Sequence, residues 1–155
     1  LGLDSFRMSA KRTFILATAV LAGSLIATSA YSLLVGWMEI EVLQPPEVDA
    51  GIAFDGAAVL LTFQALALMT PIVEEVFFRG FIFSGLLRRF GPRWAIIVSA
   101  LVFSAFHLSL GVVIPIFMTG VLLAWLYWKT GSLWAAIAAH AGQNALAVCV
   151  GVIGD

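Results

Sequence analysis

The sequence predicts an all-α protein, a polytopic bundle of about five transmembrane helices, and three observations predict it. Of its 155 residues, 62% are hydrophobic and only 11% charged, against roughly 45–50% and 25% in soluble domains. The mean hydropathy is +1.07. The apolar residues also fall in runs long enough to cross a hydrocarbon layer, which takes about 20 residues of helix. Backbone groups in lipid must be satisfied within their own segment, so such runs form helices. The formal net charge of −1 argues against an electrostatic nucleic-acid binder. The single cysteine, Cys149, excludes an intrachain disulfide and a cysteine-rich metal site. It reads as a packed or lipid-facing small apolar residue.

The first span is Thr13 to Gly36. Arg7, Lys11 and Arg12, the apolar run and Thr28-Ser29-Ala30 together also resemble a signal peptide. The run continues past Ala30 through Leu34, which favours an uncleaved helix. The chain opens on Leu1 rather than Met, as a piece of a longer protein would. Ala57 to Phe90 is the second span, Trp94 to Leu110 the third, Val112 to Trp128 the fourth and Leu133 to Ile153 the fifth. Gly91-Pro92 separates the second from the third, and Gly131-Ser132 the fourth from the fifth. Pro115 sits near the start of the fourth, where a missing N–H is tolerated. Residues 1–56 therefore read as an N-terminal helix with an acidic extracytoplasmic loop, and residues 57–155 as a core of four helices.

Threading five spans puts Arg7, Lys11, Arg12, Arg88, Arg89, Arg93 and Lys129 on one side, expected to be cytoplasmic. Glu39, Glu41, Glu47, Asp49, Asp55 and Asp155 fall on the other, and only Asp4 joins the basic side. The chain reads as a multi-pass protein of a prokaryotic cytoplasmic membrane.

The second span carries Glu74-Glu75-Val76-Phe77-Phe78-Arg79 between two uncharged stretches. An ionised group at the bilayer centre costs about 2.5–3.5 kcal/mol on insertion scales, and residues kept there are usually functional. At 1.5 Å rise per residue, Glu75 lies about 20 Å above Arg88 and Arg79 about 14 Å. His107 lies about 20 Å above Trp94, and His140 and Asn144 roughly 10 and 17 Å above Leu133. Ionisable residues of three helices, both histidines among them, thus fall in one slab near the membrane middle.

Spacing divides their roles. Glu75 and Arg79, at i and i+4, share a helix face and form an ion pair. Glu74 points about 100° away, so the two carboxylates need not share one task. Glu74 has no partner on its own helix and is the residue most suited to chemistry. His140 and Asn144 project together, and the ring of Phe103 can wall His107. Ala135, Ala136, Ala138, Ala139, Ala141, Gly142 and Ala145 allow close helix approach around His140. Thr62, Gln64 and Thr119 read as helix–helix hydrogen bonders. The Trp and Phe residues read mostly as lipid-facing or interfacial. No His-Glu-x-x-His, Gly-x-Ser-x-Gly or phosphate-loop pattern occurs.

Glu74-Glu75-x-x-x-Arg79, then Phe103-x-x-x-His107, then His140-x-x-x-Asn144 resemble the three motifs of the CPBP family. These are the CaaX-protease and bacteriocin-processing intramembrane proteases, also called the Abi family. The likeness spans Ala67 to Ala147. Typical members have more spans, often eight. The resemblance implies hydrolysis of a peptide bond within the membrane. In that reading Glu74 activates water as general base, with His107 holding the water or helping to deprotonate it. His140 and Asn144 stabilise the oxyanion, and Glu75 with Arg79 shapes and charge-balances the site. Glu74, His107 and His140 are also the candidate ligands of a Zn2+ site with one open position. Asn144 suits oxyanion binding better than zinc ligation, which favours metal-free glutamate chemistry. The implied partners are membrane lipids and a membrane-anchored or hydrophobic peptide substrate. Two other readings of the same residues are an ion or proton-relay transporter and a non-catalytic membrane scaffold. The intact motifs weigh against the scaffold, and the lack of a second set of broken helices against the transporter.

Overall fold

The computed structural model describes residues 7–45 and 59–153, and every regular element among them is helical. The helices are α1 (Ala10–Trp37), α2 (Val59–Phe63), α3 (Thr70–Glu75), α4 (Ser84–Ala105), α5 (Leu110–Thr130) and α6 (Leu133–Ile153). A 3-10 turn at Glu41–Leu43 follows α1. Two π-helical segments, Gln64–Met69 and Val76–Phe83, flank α3 and join it to α2 and α4.

Among the described residues, four helices are long and apolar enough to cross a membrane: Ala10–Trp37, Leu60–Ala105, Leu110–Thr130 and Leu133–Val150. The sequence reading expects five spans, and the difference lies at Gly91. A straight helix over the 46 residues from Leu60 to Ala105 would be about 69 Å long. Gly91 instead leaves the helical region, with φ 75° and ψ 175°. A residue with a Cβ rarely adopts that conformation. Pro92 then restarts the helix, where its missing N–H costs little. The chain folds back at this point. The rings of Phe78 and Phe103 lie 4.9 Å apart, and those of Phe77 and Phe106 6.2 Å. Both pairs are nearly symmetric about Gly91, so the second and third expected spans are the arms of one hairpin. The second arm ends at Ala105, short of the Leu110 expected for the third span.

α1 packs through one stripe. Its buried residues, Thr13, Val20, Ser24, Tyr31 and Val35, recur at alternating intervals of seven and four, which is one helix face. Val20 joins Leu123 and Leu126 of α5 and Ala135 and Ala139 of α6 in one apolar cluster. Much of the rest of the helix, including Phe14, Ile26, Leu33 and Trp37, is exposed and apolar, as suits contact with lipid. A second cluster ties the hairpin to α5 and α6 through Phe83, Ala95, Ala124, Tyr127, Leu133, Ala136 and Ile137. The aromatics are thus not all peripheral: Phe78, Phe83 and Phe103 are core residues.

Small residues set the helix spacing. A Cβ on Gly142 would meet Leu21 of α1 at 3.0 Å, and one on Gly120 would meet Ala100 and Phe103 at 3.1 Å. Gly131, with φ 68°, ends α5 in a left-handed cap whose N–H bonds the Tyr127 carbonyl at 2.8 Å.

Apart from Arg79, the described Lys and Arg residues gather at one end of the bundle. Arg7 donates to the carbonyl of Trp128 (3.0 Å), and its backbone N–H to that of Thr130 (2.8 Å), beside Lys129. Phe83 stacks edge-on to Tyr127, which brings the Arg88–Arg93 turn to the same end. Lys11 and Arg12 open α1 there. Asp4, Glu47, Asp49, Asp55, Asp155 and the expected start of the second span at Ala57 lie outside the described residues.

Candidate active site

The site is built on the irregular part of the second helical run. Proline lacks an N–H and its ring clashes with the carbonyl four residues back, so Pro71 breaks the regular ladder. The backbone N–H of Thr70 bonds the carbonyl of Ala65, five residues back, in the π pattern. The next acceptor in that pattern is the Leu66 carbonyl, and its donor would be Pro71, which has none. Asn144 of α6 fills the gap: its Nδ2 donates to the Leu66 carbonyl at 2.9 Å. One side chain on α6 thus satisfies a backbone group that π geometry and a proline leave open.

One turn further on, Glu75 and Arg79 form the buried wall. Their side chains are 0% and 1% exposed, and Arg79 Nη1 donates to Glu75 Oε1 at 2.7 Å. Arg79 Nη2 donates to the Gly120 carbonyl at 3.2 Å, and the guanidinium lies 4.4 Å from the centre of the Phe103 ring. Glycine at 120 is what lets α5 come this close. His140 Nδ1 meets the same Glu75 Oε1 at 2.8 Å. A carboxylate paired to arginine only accepts, so Nδ1 carries the proton. Glu75 Oε2 and Arg79 Nε are buried with no hydrogen-bond partner among the described residues. Buried ion pairs of this kind are poor sources of stability. This one aims a histidine.

The other ring nitrogen, His140 Nε2, faces Glu74, 3.7 Å from its Oε2. Glu74 is partly exposed, at 24%, where its neighbour Glu75 is sealed. His140 itself is buried, with its ring 5.8 Å from that of Phe103. The sequence reading left Glu74 without a partner on its own helix. Its partner is His140, from a residue 66 positions later in the chain.

His107 occupies a different position from the one expected. It lies just beyond the end of α4, in a tight turn, and not within a span. Its Nδ1 meets the Phe103 carbonyl at 3.0 Å, and its backbone N–H bonds the Ser104 carbonyl at 3.2 Å. A carbonyl only accepts, so Nδ1–H donates and Nε2 is left as the acceptor. The next residue, Leu108, takes a positive φ of 51°, an uncommon state for a residue with a Cβ.

Two small cavities meet at His107. One, of about 230 Å3, is lined by Val73, Glu74, Phe77, Phe78, Phe106 and His107. The other, of about 100 Å3, is lined by Thr28, Phe103, His107, Ile116, Thr119, His140, Gln143 and Asn144. The expected residues are therefore brought together, with Glu74 in the first cavity, His140 and Asn144 in the second, and His107 in both. Both histidines hold an oxygen acceptor on Nδ1 and present Nε2, which is the chemistry of a metal-bound imidazole. Among the described residues, however, no three His, Cys, Asp or Glu side chains lie close enough to hold an ion. Glu74, His107 and His140 do not converge as a zinc site would require.

Two further polar residues meet here: Gln143, which lines the second cavity, and Ser24 of α1, which bonds it. Gln143 Oε1 accepts from Ser24 Oγ at 2.6 Å, and Ser24 Oγ lies 2.7 Å from Thr119 Oγ1. Gln143 sits three residues after His140 on an apolar helix, a spacing that places the two on one face. Thr119 does bond across helices, as expected of it. Gln64 is exposed.

A family model described as type II CAAX prenyl endopeptidase Rce1-like matches residues 56–146, more than half of the chain and all three motifs. No curated protein and no solved structure matches the chain significantly. With its apolar helices and this match, the chain is an integral membrane protein, and it belongs to the Rce1-like family of type II CAAX prenyl endopeptidases.

Proposed function

We propose that the protein is an intramembrane endopeptidase that cleaves a membrane-anchored CaaX-type peptide, with Glu74 as general base. The observation that carries this reading is the chain Arg79, Glu75, His140, Glu74. Glu75 fixes the proton of His140 on Nδ1, so Nε2 is an acceptor facing the Glu74 carboxylate across 3.7 Å. That gap is too long for a direct hydrogen bond and fits a water held by both groups. Two carboxylates and one guanidinium leave the cluster one negative charge in excess when His140 is neutral. Taking a proton from the attacking water neutralises Glu74 and passes the excess charge to the oxyanion, and the same carboxyl can then protonate the leaving amine.

The histidine roles differ from those the resemblance implied. With its Nδ1–H donated to Glu75, His140 presents an acceptor that orients water better than it serves an oxyanion. His107 Nε2 is likewise an acceptor, at the junction of the two cavities. Asn144 gives one amide N–H to Leu66 and keeps a second, which is the donor we assign to the oxyanion. No step in this scheme requires a metal. The basic end of the bundle faces the cytoplasm by the rule that Lys and Arg stay inside.

Cleavage of a prenylated CaaX peptide by the purified protein in detergent tests the reading. Glu74→Ala should lose at least about 10²-fold in kcat/KM, the scale of a missing general base. Cleavage that survives the substitution would rule the mechanism out. Proton flux in liposomes without any cleavage would favour a relay along the same four residues.

A further inference from the structure

Gln143 is held where it can bind substrate, and nothing in the scheme above uses it. It is half-buried, and its carboxamide is oriented by two buried hydroxyls from other helices. Ser24 of α1 donates to its Oε1 at 2.6 Å, and the NH2 group is turned the other way. One N–H reaches Thr119 Oγ1 at a long 3.4 Å. Among the described residues, no group accepts the second. A primary amide with a fixed direction and a spare N–H is a ready donor to a carbonyl oxygen.

Its location says whose carbonyl. Gln143 lines the small cavity that holds His107, His140 and Asn144. It also lines a separate groove of about 740 Å3 between α1, α5 and α6, whose walls include Leu25, Leu33, Val112, Ile116 and Leu146. Thr28, Ile116 and Gln143 are common to both spaces. They mark the neck at which the apolar groove adjoins the chamber of His107, His140 and Asn144. Gln143 is the only one of the three with an amide group. An extended peptide passing from groove to chamber brings its backbone past this neck, and a backbone carbonyl in an apolar setting demands a donor.

We propose that Gln143 is a substrate-binding residue: its Nε2–H donates to a backbone carbonyl of the peptide at the neck, beside the scissile bond. Ser24 and Thr119 are its positioning residues. The inference rests on the endopeptidase reading for the identity of the ligand, an extended peptide with an apolar flank, but not on which residue performs hydrolysis.

The test uses the full chain in nanodiscs and a fluorescent farnesylated peptide ending in Cys-aliphatic-aliphatic-X. Gln143→Met keeps the side-chain length and removes the amide. It should raise KM about five- to tenfold, the worth of one hydrogen bond, with kcat within about twofold. In the Glu74→Gln background, where the peptide binds without turnover, Gln143→Met should weaken Kd by the same factor. Gln143→Glu still accepts from Ser24 but cannot donate, and it too should weaken binding. Ser24→Ala, which leaves the amide present but unsteered, should raise KM about two- to threefold.

Unchanged KM and Kd in either folded Gln143 variant would overturn the inference. So would a loss in kcat alone, because a tie that merely braces three helices has no reason to act on ground-state binding. A parent protein that binds the peptide without cleaving it, with Gln143→Met binding more weakly, would uphold the inference and sink the protease reading. A parent that neither binds nor cleaves would sink both.

Discussion

Glu74 and Glu75 are neighbours in sequence and opposites in the fold. Glu75 is sealed between Arg79 and His140 and lines neither of the two cavities at His107, and its Oε1 accepts from both partners. Glu74, about 100° round the helix, is partly exposed, lines a cavity and has one histidine nitrogen 3.7 Å away. The first is a fixed charge that sets the direction of a side chain. The second is a charge with room for water beside it. The comparison teaches that two adjacent acids in one helix need not be a catalytic dyad. In the proposed mechanism, one step of about 100° along the helix separates the group that positions from the group that reacts.

The largest expected effect on folding comes from breaking the sealed side. Arg79→Met leaves the buried Glu75 carboxylate without its counter-charge, and a broken buried pair costs about 3–5 kcal/mol. Chemical denaturation should show that loss. The double variant Arg79→Met/Glu75→Gln, with no unpaired charge, should recover much of it. A single Arg79→Met as stable as the parent would contradict the distinction between the two faces.

Next comes the junction that places α6. Asn144→Leu uncovers the Leu66 carbonyl and should cost about 1–3 kcal/mol. Pro71→Ala supplies the missing backbone donor, so in that background Asn144→Leu should be milder by about 0.5–3 kcal/mol. A double-mutant cycle in denaturant checks it, and additive losses would mean the two residues do not share that carbonyl. Asn144→Leu should also lower kcat in proportion to its part in oxyanion binding, which Pro71→Ala will not restore.

Gly120→Ala, a change in packing alone, comes last. The added methyl meets Ala100 and Phe103 at 3.1 Å, and overpacking of this kind costs about 1–3 kcal/mol. It presses on the contact through which Arg79 reaches α5, so stability should fall before any change in Glu74 chemistry appears. A thermal melt together with a cleavage assay separates the two.

Much of this arrangement was legible in the sequence. The helix class, the break at Gly91-Pro92 and the Glu75–Arg79 pair follow from local rules: length of apolar run, a residue free to take positive φ, and spacing of one helical turn. Other features were not legible, because they depend on geometry that spacing does not encode. Pro71 signals a broken ladder, but not that a π turn would leave the Leu66 carbonyl for Asn144. His107 was expected within a span, yet α4 stops at Ala105 and the residue lies in the turn beyond. The meeting of Glu74 with His140, and of Ser24 with Gln143, required knowing which helices pack together. Gln143 was overlooked because a lone amide in an apolar helix looks like its neighbour Asn144, and only the contacts from α1 and α5 tell the two apart.

The central claim is the division of labour between the two adjacent glutamates, and one paired measurement tests it. Glu74→Gln and Glu75→Gln should be purified side by side, melted, and assayed on the same prenylated peptide. The account predicts that Glu74→Gln melts like the parent and loses at least about 10²-fold in kcat/KM. It predicts that Glu75→Gln melts at a clearly lower temperature, because Arg79 is left buried without its counter-charge. Folded Glu75→Gln should keep measurable cleavage. The reverse pattern, a stable but inactive Glu75→Gln beside an active Glu74→Gln, would contradict it.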